Sequence, residues 1–425
     1  MVVFITGASG FIGRAVVIAL RAEGHRVVEG RRGRGSGVPG DVIKVDFTRD
    51  FDPEIWRPRL IGVDAVVNAV GIIRQRGTQT FDALHFRAPR ALFAACIEAG
   101  VSRVIQLSAL GADQHATSAY HRSKLRADDF LAGLSVSSAI VQPSLVYGAG
   151  GESARLFNTL ASLPLIPLPG SGSQRVQPIH IDDLVACVVA LLERERWCTG
   201  RLPLVGPEAI TLREYLGDLR QALGAPPARF INVPRAWVQA AATIGEVIPG
   251  VLLDKETWAM LERGNVADVS DTKRLLGAMP RSPKQFIVPS MAAPIRQQAY
   301  LNWLLPLLRL AIATMWIVTG IVSLAVYPLA ESYVLLARTG ITGTLATVAL
   351  ISSAALDLAL GIATLVAPAR ALWWCQIALI IGYTAIISWY LPEFWAHPYG
   401  PVLKNLPILA ALLLLAMLDP GESRR

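Results

Sequence analysis

The chain is expected to fold as two unlike parts: an α/β domain built on a doubly wound parallel sheet with a small covering domain, then an all-α bundle of four transmembrane helices. Three observations predict this. A β-branched apolar run, Val2–Thr6, leads directly into glycines at positions 7, 10 and 13. Strand-like and helix-like segments then alternate as far as Leu204, which is the pattern of a parallel sheet with crossover helices. Beyond residue 300 the chain turns apolar in long uncharged runs.

Val2–Thr6 suits a strand buried on both faces. The glycines that follow meet three needs: a tight turn, close backbone approach to a pyrophosphate, and close helix–strand packing. Gly7, Ser9, Gly10, Phe11, Ile12 and Gly13 are therefore candidates to hold a dinucleotide, in a Rossmann-type fold. A helix over Arg14–Ala22 ends at Gly24, a fitting C-cap. The second strand, His25–Val28, runs into Glu29-Gly30-Arg31-Arg32. Arg31 and Arg32 suit a 2′-phosphate, so NADP(H) is expected ahead of NAD(H), with Glu29 nearby keeping NAD(H) open.

Val42–Phe47 reads as a third strand, with Asp46 a candidate for the adenine amine and Phe47 beside it. Residues Val63–Gly71 read as a fourth strand running into a cofactor-facing loop, with Asn68, Ala69 and Gly71 as contacts. Pro89–Ala99 is expected to be a helix with Leu92, Phe93 and Cys96 on its apolar face. Val101–Leu107 is a fifth strand, and Ser108 stands at its carboxyl end, where catalysis gathers in open α/β sheets. Tyr120 and Lys124 are four residues apart and share a helical face. A free phenol titrates near ~10 and is a poor acid–base group at neutral pH, but a neighbouring cation favours its ionised form. Ser135–Val141 gives a further strand, followed by Pro143-Ser144-Leu145-Val146-Tyr147-Gly148.

Over residues 1–290 the chain resembles the extended short-chain dehydrogenase/reductase superfamily. The likeness is greatest to the atypical group related to the NADPH-binding accessory subunit of respiratory complex I. The glycine turn, the Tyr-x-x-x-Lys pair and the Pro-Ser-x-Val-Tyr-Gly segment carry it. The resemblance implies that Ser108 positions a substrate carbonyl or hydroxyl and that Tyr120 is the acid–base. It implies that Lys124 contacts the nicotinamide ribose while lowering the Tyr120 pKa, and that Pro143 and Ser144 join the cofactor site. Hydride would pass between nicotinamide and a carbon held against Ser108 and Tyr120. Some members of the complex I group hold NADPH without known turnover. Ser108 is followed by Ala109-Leu110, without the Thr-Glu or Thr-Asp pair of the sugar-nucleotide dehydratases, which argues against dehydration. Arg155, Arg175 and Arg201 form no evident diphosphate cluster, so a sugar-nucleotide epimerase is a lesser alternative.

His180 and Asp182-Asp183 are read as capping the next helix or fixing the sheet edge, and Thr211 with Glu214 as a capping box. Residues 150–180 and 200–290 are assigned to the substrate-covering part, with an amphipathic segment at Ala236–Ile248. The prolines of Pro280–Pro294 suggest a linker, with 291–302 joining residues 1–290 to a membrane domain at 303–425.

The net charge of +8 comes without basic runs interleaved with aromatics, so no nucleic-acid partner is expected. Cys96, Cys187, Cys198 and Cys375 have no metal-ligand spacing and read as reduced core residues; no metal is expected, and neither His85 nor His121 is a candidate ligand. The N-terminus lacks a charged leader region, so no signal peptide is expected.

The uncharged runs are Leu310–Ala330 (21 residues), Thr339–Leu356 (18), Ala371–Pro392 (22) and Asn405–Leu418 (14). Three approach the roughly 20 residues that a span needs, and the Leu-rich fourth is expected to span as well. Arg296, Arg309, Arg370, Arg424 and Arg425 stand against Arg338 and Lys404. That bias places the N-terminal domain and both termini in the cytoplasm of a bacterial-type cell, with the bundle in its inner membrane. Trp303, Trp373, Trp374, Trp389, Tyr390 and Trp395 are expected as interfacial anchors. This half resembles the DoxX-like four-helix family. Asp357, inside a span, reads either as a proton or quinone site or as a packed polar contact. The expected protein is an NADP(H)-dependent oxidoreductase at a lipid bilayer, with a small lipophilic carbonyl, alcohol or quinone-like substrate. The alternative partner is a membrane protein assembly in which the chain is a non-catalytic NADPH-binding accessory.

Overall fold

The computed structural model describes residues 1–33, 41–193, 197–245 and 255–419. They form two compact units, Met1–Ala299 and Tyr300–Arg425. In the first, β1 (Val2–Thr6), β2 (Arg26–Arg31), β3 (Val42–Lys44), β4 (Ala65–Asn68), β5 (Arg103–Leu107) and β6 (Ser138–Pro143) join an edge strand, Gly200–Leu204, in one sheet. All of its pairings are parallel. The order is Gly200–Leu204, β6, β5, β4, β1, β2, β3. It reverses between β1 and β4, which is where a doubly wound sheet opens a crevice beyond its carboxyl ends.

Successive side chains of a strand face opposite layers, and both layers here are apolar. Val3, Ile5, Val67 and Ile105 pack under Val16 and Leu20 of the helix Phe11–Ala22 and under Leu184 and Val188 of the helix Ile181–Ala190. Phe4, Val66, Val104 and Ile140 pack against Leu92, Phe93 and Cys96 of the helix Ala88–Glu98 and Leu131 of the helix Ala119–Ala132. That double burial is why these strands read as unbroken hydrophobic runs.

β3 ends at Lys44, short of the expected Phe47, because Asp46 turns the chain. Its Oδ1 accepts from the Thr48 amide at 2.9 Å and the Thr48 hydroxyl at 2.6 Å, an Asx turn that competes with the ladder. A π-helical turn, Asp82–Arg87, precedes the helix Ala88–Glu98 and was not foreseen. The smaller layer has its own core of Ile166, Leu168, Leu212, Tyr215 and Leu216. His180 caps the helix Ile181–Ala190 by accepting from the Asp182 amide, and Thr211 with Glu214 closes a full capping box, both as expected. The amphipathic segment is a helix over Arg235–Gly245, while 246–248 lie outside the described residues.

Residues 291–302, expected as a linker, are helical within Pro289–Ile321. Proline reads as a breaker, but Pro289 is the first residue of this helix, where its missing N–H would have been unpaired in any case.

Among the described residues, three helices are long and apolar enough to cross a membrane: Pro289–Val326, which begins in the first unit, and Gly343–Val366 and Arg370–Tyr390 in the second. Asn405–Leu418 is apolar but has 14 residues, about 21 Å of helix against a hydrocarbon core of ~30 Å, so its length falls short of the expected fourth crossing. A helix at Leu329–Arg338 was not anticipated. Arg424 and Arg425 lie outside the described residues.

Glycine lets two helices close on each other. A Cβ on Gly361 would stand 2.6 Å from Ile317 Cγ1, and one on Gly320 would stand 2.8 Å from the Ala354 carbonyl. Trp316 Nε1 donates to Gln376 Oε1 at 2.9 Å, and Gln376 Nε2 donates to Thr364 Oγ1 at 2.8 Å. Trp373 is buried in this core rather than anchoring an interface, whereas Trp374, Trp389, Tyr390 and Trp395 are exposed. All four cysteines are free; Cys96 and Cys187 are buried as expected, but Cys198 is half-buried and Cys375 is exposed. Asp357 is buried, and its Oδ1 has no hydrogen-bond partner among the described residues.

Candidate active site

The crevice begins at the glycine turn. Gly7 has φ +75°, and a Cβ there would lie 2.7 Å from the Ala69 carbonyl group. One on Gly13 would lie 2.1 Å from the Gly7 oxygen. Both positions need glycine for space, and Gly7 also needs it for backbone conformation. Ser9 and Gly10 are exposed, Phe11 and Ile12 half-buried. Gly10 begins the helix Phe11–Ala22 with no side-chain cap and no acid in the first turn, which leaves the helix end open to an anion. The Phe11 ring closes against Gly148 and Gly151, bringing the Pro-Ser-x-Val-Tyr-Gly segment to this turn.

At the end of β2, Glu29 is buried and shared by two arginines. Its Oε1 meets Arg21 at 3.0 Å and its Oε2 meets Arg31 at 2.7 Å, while Arg32 is exposed. The hydrogen bonds from Thr48, with the nearby charges of Arg49 and Arg32, hold the Asp46 carboxyl below its usual range, burial opposing them. Phe47 does not face the crevice: its ring is buried edge-on to Trp56, with centroids 5.4 Å apart. Asn68 is wholly buried in a polar ladder across three strands. It accepts from Thr6 Oγ1 at 2.7 Å and donates to Gln106 Oε1 at 2.7 Å. Ser144 is also committed internally, its hydroxyl to the Gln177 carbonyl at 2.5 Å and its amide to Leu204, with Pro143 closing β6 beneath it.

Tyr120 and Lys124 stand on the first turns of the helix Ala119–Ala132, which Ser118 caps by accepting from the His121 amide at 3.1 Å. Lys124 is buried, and its Nζ donates to the carbonyls of Leu107 (3.0 Å) and Val70 (3.2 Å). A Cβ on Gly71 would come within 3.2 Å of that ammonium. The lysine thus ties the ends of β4 and β5 together. Burial brings Lys124 down to about 8, with Asp128 opposing the fall.

Tyr120 is not lowered as expected: burial, and then the Asp128 carboxylate, push it up to about 12. The lysine charge is spent on two carbonyls and offset by Asp128 one turn on. The neutral phenol packs edge-on to Phe81, His85 and His121.

Two residues that the sequence reading passed over complete the site. His85, on the π-helical turn, accepts from the Ile72 amide at Nε2 (3.0 Å), so the neutral ring carries its proton on Nδ1 and donates to Ser123 Oγ at 2.8 Å. Ser123 in turn donates to the Tyr120 carbonyl at 2.7 Å. Burial, then the Lys124 charge, pushes His85 down to about 2, so it stays neutral. Asp128 is wholly buried and accepts from Ser108 Oγ at 2.5 Å. Its spacing from Lys124 places it on the same helical face, a signal that was present in the sequence.

The chain matches the NAD dependent epimerase/dehydratase family over residues 3–200 and the DoxX-like family over residues 313–413. It is 30% identical over 258 residues to the ceramide reductase of Caulobacter vibrioides, covering 57% of this chain and 77% of that protein. It is 27% identical over 255 residues to the mitochondrial NADH dehydrogenase [ubiquinone] 1 alpha subcomplex subunit 9 of Arabidopsis thaliana, covering 57% of this chain and 62% of the relative. The solved structure of a human epimerase family protein with NADPH shares the fold at a TM-score of 0.52 and 22% identity, over 71% of this chain and 99% of the other. The parallel sheet, its glycine turn and these likenesses agree: the chain belongs to the NAD dependent epimerase/dehydratase family and carries a DoxX-like domain behind its nucleotide-binding fold.

Proposed function

We propose that the chain is a membrane-anchored, NADP(H)-dependent oxidoreductase that acts on a lipophilic carbonyl, alcohol or quinone-like substrate. The observation that carries this reading is that Lys124, one helical turn after Tyr120, bonds the Leu107 and Val70 carbonyls at the carboxyl ends of β5 and β4, next in the chain to Ser108. Gly7 and Gly13 let the turn close tightly on itself, and the helix start behind Gly10 carries no side-chain cap and no acid, so the residues present fit the phosphates of a dinucleotide. Gly7, Ser9, Gly10, Phe11, Ile12 and Gly13 would hold its phosphates. Arg31 and Arg32 would meet a 2′-phosphate, with Asp46 near the adenine. Ala69 and Gly71, and the backbone at Asn68, Pro143 and Ser144, would line the remainder. Bound there, the cofactor supplies or accepts hydride.

The chain's own residues handle the oxygen. Tyr120, neutral at physiological pH, holds a proton for a developing alkoxide, which suits reduction better than oxidation. Lys124 fixes the floor of the site. His85 and Ser123 hold the backbone carrying Tyr120, and Phe81 packs edge-on against its ring. A lipid-like substrate is supported by the membrane-length helices and by the relative named for ceramide. The cytoplasmic orientation at a bacterial inner membrane rests on the arginine bias alone.

Purified full-length protein is expected to retain NADP(H). Tyr120→Phe should keep that cofactor while turnover of a ketone falls by about 10²–10⁴. Equal turnover in the variant would leave a second reading, an NADPH-binding accessory protein in a respiratory or quinone-biosynthetic assembly, which the likeness to the Arabidopsis subunit favours.

A further inference from the structure

The Ser108 hydroxyl has one proton, and its direction decides what Ser108 offers a substrate. Its Oγ lies 2.5 Å from Asp128 Oδ2. Asp128 has no exposed surface, and besides the Ser108 hydroxyl its carboxyl has the Gln142 side-chain amide as a hydrogen-bonding neighbour. A carboxylate only accepts. While Asp128 is ionised, the Ser108 proton is committed to it, and Ser108 presents lone pairs alone to the crevice. A carboxylic acid donates. Asp128 then gives its proton to Oγ and frees the Ser108 O–H to point outward. A substrate hydroxyl can donate into the first arrangement, and a substrate carbonyl can accept from the second.

We propose that Asp128 is a positioning residue that sets the hydrogen-bond polarity of Ser108, its carboxylate form selecting an alcohol and its acid form selecting a carbonyl. This rests on the carbonyl–alcohol reading above and adds a device that fixes which form of the substrate the site holds. The charged and titratable groups facing Asp128 are Lys124 and Tyr120 from its own helix and Arg201 from the edge strand. Burial pushes Asp128 up to about 7, against the lowering pull of the Ser108 and Gln142 hydrogen bonds and of the charges on Lys124 and Arg201. Burial thus moves the change between the two arrangements upward from the ordinary carboxylate range. A buried acid that merely fastened β5 to the helix would not make substrate preference follow pH.

The test uses the full chain in lipid nanodiscs, with a long-chain methyl ketone and its matching secondary alcohol as probes. KM and kcat are measured against pH with NADPH or NADP⁺ saturating. For wild type, KM for the ketone should be flat below about pH 7 and rise up to about tenfold per pH unit above it. KM for the alcohol should do the opposite, with kcat moving less in both. Asp128→Asn cannot titrate and should flatten both lines. Wild-type slopes surviving in Asp128→Asn, or ketone and alcohol moving together, would overturn the proposal.

A second measurement needs no turnover. The infrared difference spectrum between acid and alkaline samples should show a carboxylic-acid band that Asp128→Asn lacks. In Ser108→Ala that band should persist to higher pH, because the hydrogen bond favouring the charged form has gone. Absence of the band in wild type, with ketone reduction intact, defeats the polarity proposal alone. A band that behaves as expected, with neither probe turned over by wild type, defeats the oxidoreductase reading and the proposal with it.

Discussion

Glu29 is almost wholly buried, yet both of its oxygens are engaged, one by Arg21 and one by Arg31. An acid gripped by two guanidinium groups is a poor partner for the ribose hydroxyl that an NAD-selective site binds at the end of this strand. The same grip would hold Arg31 in place as a cation for the 2′-phosphate of the proposed cofactor. Arg31→Asp should therefore move the ratio of NADPH to NADH dissociation constants by about tenfold or more toward NADH, read by cofactor fluorescence. An unchanged ratio would remove the case for NADP(H). Gly13→Ala, with its methyl carbon 2.1 Å from the Gly7 oxygen, should abolish binding of both cofactors in the same titration. If either still binds at wild-type strength, the glycine turn is not the cradle.

At the scale of elements, the membrane helices offer the cleanest trial of packing. Gly361→Leu places a branched side chain where even a Cβ would be 2.6 Å from Ile317 Cγ1 and 3.0 Å from the Ala313 carbonyl. The helices must separate, and overpacking of this kind costs about 1–3 kcal/mol or more. The variant should melt earlier in detergent, as followed by circular dichroism, and an unshifted transition would show that this contact is dispensable.

The strands, their order of appearance and the position of Ser108 were legible because apolar runs and glycine punctuation are local signals. β3 was overextended because a side-chain turn at Asp46 competes with the ladder through hydrogen bonds that periodicity does not register. His85 was weighed only as a metal ligand because its contacts with Tyr120 and Ser123 join two separate helical segments, and a periodicity within one segment does not register them. The Tyr120 pKa was misjudged for a related reason. Charge proximity can be read from an i,i+4 spacing, whereas burial and the carbonyls that absorb the lysine's protons depend on the folded surroundings. The proline-rich stretch misled in the opposite direction, since a breaker inside a helix is a favoured residue at its start.

For the whole molecule, the division into two units predicts a working fragment. A cut after about residue 295 looks suitable from composition, but Ala292 and Ile295 pack into the smaller core and Arg296 donates to the Leu223 and Gly224 carbonyls at 2.9 and 2.8 Å. Truncation after Ala299 should give a monodisperse, cofactor-binding fragment on gel filtration, and truncation after Pro289 a less stable one. Aggregation of the longer fragment would mean that the first unit does not stand alone. The second unit has its own source of unity in Trp316, Gln376 and Thr364, joined by hydrogen bonds across three helices. In hydrocarbon no water stands ready to replace a lost partner. Rotating the Gln376 helix would break both bonds at once, and rotating either of the others would strand one end of the Gln376 amide, so the bundle should come apart in a single step rather than shed its helices in turn.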